Sequence, residues 1–95
     1  MPYVLKNKSN AQIFTALLPN AYGLSYYGPL SWNDRASAEE NYKFILQQME
    51  VPLEEADRWE LLEVSESQLR LCNVKLNNNP RKNLYVDDEG KFIVE

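Results

Sequence analysis

Along this chain apolar positions first alternate with polar ones, then recur at helical spacing, then alternate again. In "YVLKNKSNAQIFTALL", residues 3–8 and 12–18 read as two strands joined by a turn at Ser9-Asn10, the second rich in the Ile, Phe, Thr and Leu that suit a pleated surface. Ser9 followed by Gln12 is also a capping-box pattern, and Phe14, Leu17 and Leu18 share one helical face, so a helix over 9–18 stays open. Pro19-Asn20 punctuates the chain, and the aromatic stretch "AYGLSYYGPLSW" reads as strand broken at Gly23 and at Gly28-Pro29.

"SAEENYKFILQQM" predicts a helix. Ser37 is the expected N-cap, Glu40 completes a capping box, and Ala38, Tyr42, Ile45, Leu46 and Met49 form one apolar stripe. The helix should stop before Val51-Pro52, because the residue preceding proline is pushed out of helical geometry. "PLEEADR" is expected to make one helical turn. "WELLEV" and "QLRLCNVKL" read as strands joined through "SES", with a helix continuing from Leu53 as the alternative over 53–63. "NNNPRKN" is a loop, and "LYVDDEGKFIV" is a hairpin in which Gly90 can take a positive φ. The expected fold is α+β in a single domain over 1–95: a small antiparallel sheet, built from the N-terminal strands and the C-terminal hairpin, with one main amphipathic helix packed on one face.

Composition narrows the chemistry. The 95 residues are 44% hydrophobic and 25% charged, which is ordinary globular composition, and no apolar run is long enough to span a membrane. The opening "MPYVLKNKSN" has no apolar signal core, which sets the expectation of a cytoplasmic protein. The chain contains no histidine. Ser-His-Asp and Cys-His catalysis are therefore excluded, and with one cysteine there are too few ligands for zinc, iron–sulfur or haem sites. No cofactor or metal is expected, and no catalytic residue is singled out. Cys72 sits among apolar neighbours in "LRLCNVKL" and reads as a buried, inert thiol.

Charge is uneven. From Glu39 to Glu66 there are nine acidic and two basic residues, whereas Arg70 to Lys82 holds four basic residues and no acidic one. The acidic segment lacks the alternating Asp/Asn and central Gly of a calcium loop and reads as a solvated face. Lys75, Arg81 and Lys82 form a secondary basic patch. A net charge of −4 and the scarcity of nearby base-stacking aromatics argue against direct nucleic-acid binding.

The aromatics are the remaining signal. In a strand over 21–28, Tyr22, Leu24 and Tyr26 share one face and Tyr27 the other, and a single helix covers only one of them. Tyr26, Tyr27 and Trp32 are accordingly the expected partner surface, since exposed Tyr and Trp anchor protein interfaces. The leading functional expectation is a non-catalytic protein–protein interaction or regulatory module whose partner is another protein or a second copy, because a short sheet with an open edge readily pairs with itself. A small-ligand binder or His-free enzyme, with a pocket between helix and sheet, is the alternative. Acidic mimicry of nucleic acid comes third.

Overall fold

Val4 and Leu5 are adjacent in strand β1 (Tyr3–Asn7), so they point to opposite faces, and both are buried. A strand buried on both sides needs cover on both sides. The computed structural model, which describes residues 1–19, 22–52, 55 and 57–95, supplies it with two helices and bears out the α+β class.

β1 is the centre of the main antiparallel sheet. Along one edge it pairs with β6 (Trp59–Glu63), from Tyr3↔Glu63 to Asn7↔Trp59. Its other edge is shared end to end by β5 (Ser31–Trp32) and β2 (Gln12–Ile13). β2 continues the sheet to β7 (Leu84–Val86), and β7 to β8 (Phe92–Val94) at the margin. At Phe14 the pairing changes hands. Its N–H donates to the Leu5 carbonyl, while its own carbonyl accepts from Leu30 N–H. Beyond that point β3 (Thr15–Pro19) and β4 (Ser25–Pro29) form a separate two-stranded arm. Residues 9–18 are thus turn and strand, not helix. Asn20, one half of the expected punctuation, lies outside the described residues, as do Leu53, Glu54 and Ala56 of the turn expected in "PLEEADR".

α1 (Arg35–Gln48) covers the Leu5 face, with Ala38 and Leu46 buried and Tyr42, Ile45 and Met49 packed beside them as their spacing predicts. Phe14 meets Trp59 edge to face in the same cluster, ring centroids 5.3 Å apart. The N-cap is Asp34 rather than Ser37: an Asp34 carboxylate oxygen accepts from Ser37 N–H at 2.8 Å. These bonds to the charged form hold the Asp34 carboxyl below its usual pKa.

The second helix corrects the strand expected over "QLRLCNVKL". α2 (Glu66–Leu76) opens on a full capping box, in which Ser65 Oγ accepts from Gln68 N–H and Gln68 Oε1 accepts from Ser65 N–H. It closes on Asn77, a left-handed residue at φ 49°. Leu69, Cys72 and Leu76, three and four apart, pack against Val4, Ile13, Leu84, Val86 and Phe92 on the sheet face opposite α1. The hairpin turn behaves as expected, with Gly90 at φ +85° and Asp87 Oδ1 accepting from both Glu89 and Lys91 N–H.

Candidate functional site

The aromatic stretch divides. Tyr27 faces inward at 9% exposure, and its hydroxyl lies 2.6 Å from Thr15 Oγ1 and donates to the Lys82 carbonyl at 2.9 Å. Its backbone N–H donates to Asn78 Oδ1 at 2.7 Å. Tyr27 therefore belongs to the core, tying β4 to the loop after α2, and not to a partner surface. α2 approaches β4 on the Tyr27 side, whereas Tyr22 and Leu24 of the other set stand exposed. Trp32 is half-buried against the Leu5 cluster, and Tyr26 is half-buried on the arm beside Gly28.

The basic candidates also separate. Arg81 and Lys82 lie in the loop after α2, where Arg81 is exposed and Lys82 half-buried. Lys75, in the last turn of α2, sends its ammonium 2.7 Å to the Phe92 carbonyl on β8. Among the described residues no hydrogen bond joins Lys75 to Arg81 or Lys82.

That lysine contact marks the feature sequence reasoning missed. Among the described residues β8 is the last strand of the sheet and pairs only with β7. Reciprocal bonds between Asn83 and Glu95, and the bond from Asp87 N–H to the Lys91 carbonyl, extend the ladder at both ends. By the antiparallel alternation, residues 91, 93 and 95 turn their backbone groups toward β7, while Phe92 and Val94 turn theirs outward. Lys75 caps one of these outward carbonyls. Beside the edge lies a cleft of about 570 Å³, lined on α2 by Gln68, Leu71 and Lys75, which share one side of the helix, and on the hairpin by Asp87, Lys91 and Ile93 among others. Leu71 and Ile93 are exposed apolar residues there. The spacing of 68, 71 and 75 was a legible signal only once 66–76 is known to be a helix.

Other reactive groups offer less. Burial pushes the Cys72 thiol up to about 11, which leaves roughly one thiolate in a thousand at pH 8. Native Cys72 should therefore react with a thiol-disulfide reagent at pH 8 about a hundredfold more slowly than the urea-unfolded chain; comparable rates would show that it is accessible. Tyr3 donates to Glu63 Oε2 at 2.7 Å, which raises its pKa, but Glu63 is exposed and Tyr3 only half-buried. Among the described residues no three of His, Cys, Asp and Glu are grouped so as to hold a metal ion, and no helix is long and apolar enough to cross a membrane.

No family model matches the chain, and neither the curated proteins nor the solved structures include a significant match to it.

Proposed function

We propose that the protein is a non-catalytic interaction module that takes a strand of a partner polypeptide on its β8 edge, beside α2. One observation carries this reading: an outward row of backbone groups on β8 runs along the cleft beside α2. Strand addition uses such a row for affinity and an adjoining cleft for side-chain selectivity. The lysine at the Phe92 carbonyl fits the same picture, because a lysine across an edge discourages indiscriminate pairing. Tyr26 and Trp32 are half-buried, on β4 and β5, and neither strand neighbours β8.

The test is a photo-crosslinking residue placed at Ile93, with the same residue at the exposed Phe44 of α1 as control, in cells producing the full chain. Position 93 should give polypeptide adducts and position 44 none. Absence of any polypeptide adduct at 93 would refute the reading.

A second reading rests on the cleft volume and the ammonium groups of Lys75 and Lys91: a small anionic ligand. It predicts no adduct from position 93, together with movement of the Lys75 and Lys91 NMR signals on addition of cell metabolite extract.

A further inference from the structure

We infer that the strand added to β8 is β8 of a second copy of this chain, joined antiparallel about a twofold axis that passes between the two Ile93 residues. The inference rests on the strand-addition reading above and names its partner. Charge complementarity selects this occupant and this register, and hydrogen bonding and the exposed side of α2 are compatible with both.

Hydrogen bonding comes first. Phe92 and Val94 carry the outward backbone groups, and antiparallel strands exchange bonds between directly opposed residues. Centring on Ile93 sets each Phe92 opposite the other copy's Val94, so both outward pairs are satisfied at once. The Lys75 contact need not break, since a carbonyl oxygen can accept two bonds.

Charge is the second feature. Lys91, Ile93 and Glu95 are exposed and alternate with the inward-facing Phe92 and Val94. In this register Ile93 meets Ile93 at the close, non-hydrogen-bonded spacing, and Lys91 of each copy stands opposite Glu95 of the other. Two opposite-charge pairs thus flank one apolar contact, an arrangement that favours pairing. Centring on Phe92 instead would oppose Lys91 to Ile93 and Glu95 to Glu89; centring on Val94 would oppose Ile93 to Glu95. Only one register matches both charges.

The third feature is the exposed side of α2. An axis perpendicular to the sheet keeps both copies of α2 on one face, the face toward which Phe92 packs with Cys72 and Leu76. The side of α2 carrying Leu71 overhangs the paired edge. Exposed Leu71 and exposed Ile93 then lie at the same junction, on opposite faces of a continuous sheet.

The experiment is sedimentation equilibrium of the full chain from low micromolar to millimolar concentration. It compares the natural sequence with K91E, E95K and the double swap K91E/E95K. The natural chain should sediment as a monomer–dimer equilibrium. Each single change converts two attractive cross-strand pairs into repulsive ones and should weaken the dimer by about tenfold. The double swap restores both opposite-charge pairs of this register and should return the dissociation constant to within about threefold of the original. A chain that stays monomeric throughout, or a dimer indifferent to the single changes, or a double swap no tighter than the singles, would overturn the inference. Monomer in the centrifuge together with adducts to a different polypeptide at position 93 would overturn the self-pairing and leave the strand-addition reading standing.

Discussion

Replacing Leu76 by alanine is expected to lower stability by about 3 kcal/mol and the thermal midpoint by roughly 15 °C. Leu76 is 0% exposed, in the last turn of α2, inside the cluster with Val4, Ile13, Leu84 and Phe92 that glues this helix to the sheet. Truncation removes several buried carbons and leaves a void that the rigid sheet below cannot close. A domain of this size has about 5–14 kcal/mol of stability in all, so one such loss leaves a substantial fraction unfolded on modest heating. Val74, on the same helix but 72% exposed, is the control: alanine there should change stability by less than about 0.5 kcal/mol. Urea titration followed by far-UV circular dichroism measures both. Similar midpoints for the two variants would mean that α2 does not pack as described.

Gly28→Ala is expected to be damaging by about 1–2 kcal/mol, through the opposite fault of overpacking. A Cβ at position 28 would lie 2.5 Å from Asn73 Oδ1 and 3.0 Å from Tyr26 Cε2. Asn73 Oδ1 is a buried oxygen with no hydrogen-bond partner, held over the glycine by the approach of α2 to β4. Buried polar atoms in that condition cost stability themselves. Asn73→Ala should consequently be close to neutral: it loses some packing, removes the orphan oxygen and places a better helix former in α2. The pair should then be non-additive, with N73A recovering most of the loss caused by G28A. A double variant as unstable as G28A alone would show that the clash is not with Asn73.

These two sites show why part of the fold could be read directly and part could not. The α1 stripe of Ala38, Tyr42, Ile45, Leu46 and Met49 is a local, periodic signal, and the residues it names are those that pack. The hairpin at Asp87–Gly90 is equally local, since its side-chain caps and positive φ depend on neighbours in the chain. α2 is different. Leu69, Leu71, Cys72, Val74 and Leu76 fit strand alternation almost as well as a helical face, so periodicity alone was ambiguous. The capping box from Ser65 to Gln68 was the discriminating signal, and it lies in the "SES" segment read as a connection between strands. Misreading that helix left one sheet face bare, and the bare face suggested Tyr27 as an interface residue. With α2 in place, Tyr27 is a core residue whose hydroxyl is occupied from both sides.

The edge site was out of reach for the same reason. Lys75 and Phe92 are seventeen residues apart, and no spacing rule connects them. Whether a strand such as "KFIVE" is central or marginal depends on which other strands pair beside it, a choice made by long-range packing. From composition and local pattern, then, come the fold class, the first helix, the closing hairpin, the lack of imidazole chemistry and the inert thiol: each follows from residue type or from neighbours within a few positions. The cover on both faces of β1, the inward turn of Tyr27, the close approach at Gly28 and the open margin at β8 were settled by folding in three dimensions. They arise from contacts between segments distant along the chain, and the free energy of burying both faces of one central strand is shared among all of them.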